Sequence, residues 1–336
     1  MWSNLIRFAI AAACFALLYA FGLLDFRALT ALFHKPVQFA FCFLLIFATV
    51  PLAAYRWHLL LRHQDFHLPY WKTLAVVFVG GFFNTFLPGA YGGDIVRAGY
   101  IYHGARRNGG RLIVSILVDR LTGIAGLILL GLAAQVLLPD SLNHIVTIAF
   151  VGLSVVLLVG LVLVMLGSHT VGRLMQRAGH ALGERIMRAT LQVRTAISAY
   201  VKSWPIIVAA VAISVFQFAL ILIALINLSS LFDFATVSAS TTALAGIISL
   251  IANSIPLTPG GIGLGEAAYA NAVTLLDPSA IGPYATIFLA LRAMTLLVSL
   301  IGGIVFAFLR TEMFAYVGSA RTSNDAAAEP KVPSSP

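Results

Sequence analysis

The sequence predicts an all-α polytopic membrane protein with six full transmembrane helices and two re-entrant helical hairpins of opposite orientation. Of its 336 residues, 60% are hydrophobic and 10% are charged, whereas soluble domains average about 25% charged residues. Several apolar runs are long enough to cross a hydrocarbon core of about 30 Å. Each half of the chain also contains an apolar run broken by Pro and Gly, and this pattern indicates an inverted-topology repeat.

Six apolar runs are predicted to cross the membrane completely. They cover 5–24, 37–60, 112–138, 144–166, 204–228 and 282–310. Two further runs, 72–88 and 236–256, lead into Pro- and Gly-rich breaks. We expect each of them to turn back with the segment that follows, which gives hairpins over 72–103 and 236–276. The length of 236–256 leaves a complete crossing open as an alternative.

Loop charges set the predicted orientation. Basic residues cluster at 56–72, 97–111 and 168–203, whereas the loops 139–143 and 229–235 contain no Lys or Arg. Because positively charged loops stay in the cytoplasm, the first hairpin returns to the cytoplasmic side and the second enters from the opposite face. Both termini are then cytoplasmic. The net charge of +9 favours contact of the basic loops with anionic inner-leaflet lipid, and no nucleic-acid partner is expected.

The two hairpins belong to repeat units that cover about 37–138 and 204–310. Asn253 follows Asn84 at an offset of 169, since 253 − 84 = 169, and the flanking apolar runs match at the same offset. Each unit has the order helix, broken hairpin, helix. The loop charges orient the two units in opposite directions, so the sequence predicts an inverted pair.

Composition assigns the remaining segments. We expect a single transmembrane domain over 1–317 and a disordered tail, rich in Ser, Ala and Pro, over 318–336. Segment 170–203 has apolar residues at three- to four-residue spacing and arginines on its other face. This pattern is typical of a basic amphipathic helix on the cytoplasmic leaflet. A linker helix packed against the bundle is the alternative.

The two breaks indicate a polar cavity near the middle of the membrane. Irregular backbone at this depth persists only where it is buried in protein or lines a wet cavity. Each break also starts a half-helix, whose first N–H groups and partial positive charge favour an anion such as phosphate. The glycine pairs Gly92-Gly93 and Gly260-Gly261 allow close approach of a ligand to the backbone.

Charged residues near the breaks supply the candidate site. Arg120 and Arg292 lie deep in apolar runs, where exposure to lipid is costly, and we expect them to hold a phosphate group of the substrate. Asp94, Asp119 and Glu266 are expected to pair with arginines or to carry protons. The candidate substrate-binding residues are Asn84, Gly92, Gly93, Asp94, Arg97, Arg120, Asn253, Gly260, Gly261, Glu266 and Arg292.

Two of these assignments have structural alternatives. The ionic residues could form salt bridges that only fix helix packing, and Asp94 could serve as a helix N-cap. At the offset of 169, Arg97 falls on Glu266, which predicts a site that is symmetric in backbone but asymmetric in charge. Asn84 and Asn253 are expected to satisfy backbone groups freed by the breaks. We expect no catalytic residue, cofactor or metal.

The motifs resemble those of a known family. They are Asn-x-x-x-Pro at 84–88, Gly-Gly-Asp-x-x-Arg at 92–97, Asp-Arg at 119–120, and Pro-Gly-Gly-Ile-Gly at 259–263 with Glu266. In combination they resemble the lysylphosphatidylglycerol synthase transmembrane-region family, also described as flippase-like, over roughly 5–310. The resemblance implies movement of lipid between the leaflets of the bacterial inner membrane. Because no segment of domain size follows 310, lipid aminoacylation is not expected, and neither is another enzymatic activity.

The leading hypothesis is therefore a flippase-like transporter of a phospholipid or related polar lipid through a midplane cavity. The sequence contains no ATP-binding motif, so movement is expected to be downhill or coupled to a proton or ion gradient. The alternatives are an ion-coupled secondary transporter of a small soluble anion and a non-transporting accessory membrane protein. The sequence leaves open which lipid is moved, in which direction, with which coupling ion and in which oligomeric state.

Overall fold

The structure is a computed structural model, and it describes most of the chain from residue 34 onwards. The described residues are 34–86, 92–105, 109–137, 144, 146–148, 150–156, 195–200, 202–254 and 262–328. They contain eight principal helices and no strand. These are α1 Pro36–His63, α2 Tyr70–Phe86, α3 Gly92–Ala105, α4 Gly109–Leu137, α5 Trp204–Ser229, α6 Ala239–Asn253, α7 Leu264–Leu276 and α8 Ala285–Ala328.

Four helices are long and apolar enough to cross a membrane. They are α1, α4, α5 and the first part of α8, Ala285–Phe308, and they confirm four of the six predicted transmembrane helices. The predicted helix 5–24 lies outside the described residues. Of 144–166, the structure describes a short apolar helix over Val146–Val156. Most of the predicted amphipathic segment 170–203 also lies outside the described residues.

The other four helices are short and come in two pairs. Helices α2 and α3 contain 17 and 14 residues, and α6 and α7 contain 15 and 13. At 1.5 Å per residue they span roughly 20–26 Å, less than a core of about 30 Å. Gly80 lies beside Arg97, and Asn84 bonds Gly93, so α2 and α3 pack as an antiparallel hairpin.

The helix order long, short, short, long occurs twice, and the packing follows it. Helices α1–α4 of the first unit correspond in order to α5–α8 of the second. Wherever two of these helices pack extensively, the two corresponding helices of the other unit also pack together. For example, α2 packs on α8 as α6 packs on α4. Helices α1 and α5 of the central pair correspond to each other.

Helices α1 and α5 run antiparallel. Gln38, near the start of α1, donates to the carbonyl of Asn227 near the end of α5 at 3.0 Å. Arg56, near the end of α1, donates to Ser214 in the first half of α5 at 2.8 Å. The two helices that correspond in the repeat order therefore run in opposite directions.

The two units share one main core. Its buried residues come from α1, α2, α5, α6, α7 and α8. At the crossing of α2 and α8, the backbone of Gly302 lies against the carbonyl of Phe78, where a Cβ atom would overlap it. Small residues that let helices approach closely are typical of membrane interiors.

Helix α8 continues beyond its membrane-spanning part to Ala328. The chain is thus helical over part of 318–336, the segment for which the composition predicts disorder. Once a helix has formed, each further residue adds a backbone hydrogen bond without a new nucleation cost. Residues 329–336 lie outside the described residues.

Candidate functional site

The helices that follow the two breaks are capped in different ways. In the first unit, Asn84 Oδ1 accepts a hydrogen bond from the N–H of Gly93 at 2.8 Å, as expected for a residue that satisfies freed backbone. In the second unit, the N–H of Gly263 donates to Glu266 Oε2 at 2.9 Å. Asn253 Oδ1 accepts from Arg292 Nη2 at 3.1 Å, a contact that the sequence did not predict, and the backbone of the break at 255–261 lies outside the described residues.

Each unit has one carboxylate, in the first turn of its third helix, that pairs with an arginine on its fourth helix. Arg120 Nε donates to Asp94 Oδ2 at 2.6 Å. Arg292 binds Glu266 through two hydrogen bonds, Nε to Oε1 and Nη2 to Oε2 at 3.2 Å. In both pairs the partners are 26 residues apart in sequence. The candidate acids and arginines thus form one equivalent ion pair in each unit.

These pairs change the register of the repeat beyond the breaks. The offset is 169 up to Asn84 and Asn253, but 266 − 94 and 292 − 120 both equal 172. The second break is therefore three residues longer than the first. The predicted equivalence of Arg97 with Glu266 is wrong, because Glu266 corresponds to Asp94 in position and in partner.

The pair in the first unit belongs to a longer row of charges. Arg56 Nε donates to Asp119 Oδ1 at 2.8 Å, and Arg97 Nη2 lies 3.7 Å from Asp119 Oδ2. Arg97 Nη1 lies 3.5 Å from Asp94 Oδ1, and Asp94 binds Arg120. We call this row the charge ladder; it runs Arg56, Asp119, Arg97, Asp94, Arg120. Its signs alternate, and three cations with two anions give it a net charge of +1.

Arg97 occupies the centre of the charge ladder. Its guanidinium lies over the ring of Trp57, 4.0 Å from the ring centroid, a cation–π contact. Its side chain is 11% exposed, and its Nε atom has no hydrogen-bond partner among the described residues. The stem of Arg97 passes Gly80 so closely that a Cβ there would lie 2.6 Å from Cδ. Glycine at position 80 therefore makes room for this arginine.

Sequence reasoning missed Arg56 as a site residue. It assigned Arg56 to the basic loop after 37–60, whereas the structure places it inside α1 with 7% exposure. Besides Asp119, it donates to Ser214 at 2.8 Å and to Gln217 at 3.4 Å. The available signal was an arginine within an apolar run, since such residues face the interior of a bundle.

The second unit has no equivalent of the rest of the charge ladder. At an offset of 169, Arg56 corresponds to Leu225; at 172, Arg97 corresponds to Tyr269 and Asp119 to Leu291. All three residues of the second unit are buried in the main core. The ion pair is common to both units, while the additional charges belong to the first unit alone.

The remaining candidates are glycines at the breaks. Gly92 begins α3, and the Cα of Gly93 lies against the carbonyl of Gly80, where a Cβ would overlap it. Gly260 and Gly261 lie outside the described residues. The described residues contain no group of three or more His, Cys, Asp or Glu side chains that could hold a metal ion.

Four spanning helices, two pairs of short helices and a buried ionic interior define a multi-pass α-helical membrane protein with polar groups at its centre. The family model described as the Lysylphosphatidylglycerol synthase TM region matches residues 4–304. The chain belongs to this family, and the resemblance seen in the motifs is confirmed. Comparisons with curated proteins and with solved structures gave no significant match.

Proposed function

We propose that this protein is a flippase-like transporter that moves a phospholipid or related polar lipid between the leaflets of the bacterial inner membrane. The observation that carries the proposal is the ion pair that recurs in both units, Asp94 with Arg120 and Glu266 with Arg292. Each pair joins the helix after a break to a long helix. A head group can move between two such sites while its acyl chains remain in the bilayer.

The chemistry of the pairs suits a phosphate-bearing head group. Arginine binds carboxylate and phosphate oxygens with the same planar fork of donors, so a lipid phosphate can take the place of the carboxylate. The side chain of Arg120 is 35% exposed and that of Arg292 is 16% exposed. In the absence of lipid, Asp94 and Glu266 would hold the two guanidinium groups in position.

The repeat suits transport by alternating access. The antiparallel arrangement of α1 and α5 supports an inverted repeat, with the α2–α3 and α6–α7 pairs as re-entrant hairpins entering from opposite faces. In this arrangement both termini and the basic loops lie on the cytoplasmic side. Movement would be downhill or coupled to an ion gradient, and Asp94, Asp119 and Glu266 are the candidate proton carriers.

Transport by the purified full chain in vesicles tests the proposal. Phospholipids labelled on an acyl chain report movement when a membrane-impermeant reductant quenches the outer leaflet. We expect Arg120→Gln and Arg292→Gln to abolish protein-dependent movement, because each removes the cation of one pair. Lys35→Gln removes an exposed charge at the start of α1 and should leave movement unchanged.

The same vesicles test the alternatives. Normal lipid movement by both arginine variants, with correct folding, contradicts the proposed role of the pairs. Efflux of encapsulated inorganic phosphate without lipid movement supports a carrier of a small soluble anion. An absence of both activities supports a non-transporting accessory protein.

A further inference from the structure

We propose that the charge ladder is a selectivity site for a singly charged phosphate group, so that the protein prefers anionic head groups to zwitterionic ones. This inference rests on the proposed function in taking lipid as the source of the phosphate. It goes beyond that function by assigning selectivity to the first unit and to the net charge of +1 that Arg56, Arg97 and Asp119 together add to its ion pair.

The charge ladder has one positive charge in excess. The charge ladder contains three arginines and two carboxylates, and the breaks 87–91 and 255–261 contain no acidic residue. Among the described residues the ladder has one cation in excess, and a buried charge without a counter-ion is costly. One monoanion neutralises the ladder, whereas a zwitterionic head group brings an additional cation into a site that already has an excess of cations.

Arg97 has longer contacts with its carboxylate partners than the other two arginines of the ladder. Its two carboxylate contacts, 3.5 and 3.7 Å, are the longest in the ladder, whereas Arg56 and Arg120 hold carboxylates at 2.8 and 2.6 Å. Its Nε has no hydrogen-bond partner among the described residues. The Trp57 ring holds the guanidinium without using its N–H donors. Arg97 can therefore turn its donors to an incoming oxygen without breaking a short hydrogen bond.

The two units differ in the charge of their ionic groups. The second unit retains its ion pair, Glu266 with Arg292, but has Leu225, Tyr269 and Leu291 where the first has Arg56, Arg97 and Asp119. Its described ionic group is therefore neutral. Arg120 lies at the more exposed end of the ladder. It belongs both to the positively charged ladder and to the ion pair with Asp94 that has an equivalent in the second unit. Selectivity by charge is thus assigned to the first unit.

The residues of the second unit provide matched substitutions for a test. The triple variant Arg56→Leu, Arg97→Tyr, Asp119→Leu gives the first unit the residues of the second and lowers the ladder charge from +1 to zero. The double variant Arg56→Leu, Asp119→Leu removes one charge of each sign and keeps +1. Replacing buried ionic groups together by apolar residues is tolerated far better than removing one partner. The near-isosteric Asp119→Asn raises the ladder charge to +2.

The measurement is the ratio of transport rates for phosphatidylglycerol and phosphatidylethanolamine, both labelled on an acyl chain. Folding of each variant is checked by size-exclusion profile and thermal midpoint. We expect roughly a tenfold preference for the anionic lipid in the wild type, an energy difference well within reach of one charge interaction. The double variant should keep this ratio, the triple variant should bring it near one, and Asp119→Asn should raise it.

The outcomes distinguish failure of the selectivity site from failure of the lipid-transport function. Lipid movement without an anionic preference in the wild type, or a preference that the folded triple variant keeps, overturns the selectivity site and leaves the flippase function standing. If the triple variant does not fold, a ratio unchanged by Asp119→Asn overturns it. Ladder-dependent efflux of encapsulated inorganic phosphate without lipid movement supports the anion site and contradicts lipid as its source.

Discussion

Glu266 accepts hydrogen bonds from both Nε and Nη2 of Arg292, and its side chain has no exposed surface. Its Oε2 also accepts the N–H of Gly263, where φ is 83°, a conformation that glycine adopts readily. One carboxylate thus fixes the entry of the chain into α7 and joins α7 to α8. The pair proposed as a binding site is thus also a structural joint between α7 and α8.

The stability of this pair gives the first prediction. Arg292→Leu leaves the Glu266 carboxylate buried without its cation, and we expect a loss of about 3–5 kcal/mol. The double variant Arg292→Leu, Glu266→Leu should recover much of that loss, except for about 1 kcal/mol from the missing cap at Gly263. Thermal unfolding in detergent measures both effects.

A matched control for this cycle is the exposed ion pair between Arg111 and Asp65. The Asp65 side chain is 71% exposed, and exposed pairs contribute about 0–1 kcal/mol. Arg111→Leu should therefore shift the unfolding midpoint little. A double variant at Glu266 and Arg292 that is as unstable as the single one would show that the destabilisation does not come from an unpaired charge.

The crossing of α2 and α8 gives the second prediction. Gly302→Ala would place a methyl group against the carbonyl of Phe78, so the two helices must separate, and we expect a loss of about 1–3 kcal/mol. Gly81→Ala is the control, because nothing lies within 4 Å of a Cβ there and alanine favours the helix by up to about 1 kcal/mol. Unfolding midpoints should fall for the first variant and rise or stay unchanged for the second. Equal effects would show that the crossing tolerates a wider separation.

Sequence reasoning found the parts of this fold that depend on composition and periodicity. An apolar run such as 37–60 predicts a spanning helix whatever its neighbours are, because the bilayer sets the required length. The offset of 169 residues between the units holds up to the first break, and the sequence therefore aligned Asn84 with Asn253 correctly. The expected pairing of acids with arginines followed from the cost of isolated charges at depth.

The partners themselves could not be predicted from the sequence. The three extra residues in the second break shift the register, and a single offset of 169 therefore aligned Arg97 with Glu266. The role of Arg56 depends on which face of α1 meets α4 and α5, and this is decided by tertiary packing. The charge ladder joins side chains from α1, α3 and α4, so it depends on how these three helices pack.

The hydrogen bond between Asn84 and Gly93, on either side of the first break, gives the third prediction. Asn84→Ala removes the acceptor for the N–H of Gly93, and loss of such a cap costs about 1 kcal/mol. Amide hydrogen exchange should then become faster in the first turn of α3, at 92–95. Thr85→Ala is the control, since among the described residues the Thr85 hydroxyl bonds just the Gly81 carbonyl, within its own helix. Unchanged exchange in the Asn84 variant would mean that another group caps α3.

The orientation of the hairpins gives the last prediction. The loop containing Asp65 precedes α2, and Tyr102 lies near the end of α3; because these helices pack antiparallel, both residues lie at the same end of the hairpin. Asp233 follows α5, and the antiparallel arrangement of α1 and α5 places it at the opposite end of the bundle. Single cysteines at these three positions therefore report whether the α2–α3 hairpin is re-entrant.

In a background with Cys14→Ser and Cys42→Ala, we expect Asp65→Cys and Tyr102→Cys to react with an impermeant maleimide only in inverted vesicles. Asp233→Cys should react in intact cells. The positive-inside distribution requires this result, and Asp65 and Tyr102 are exposed enough to react. Labelling after detergent permeabilisation controls for reactivity. If Tyr102→Cys reacts from the side opposite to Asp65→Cys, the α2–α3 segment crosses the membrane. The second unit would then have the opposite orientation, and this result would contradict the inverted-repeat mechanism.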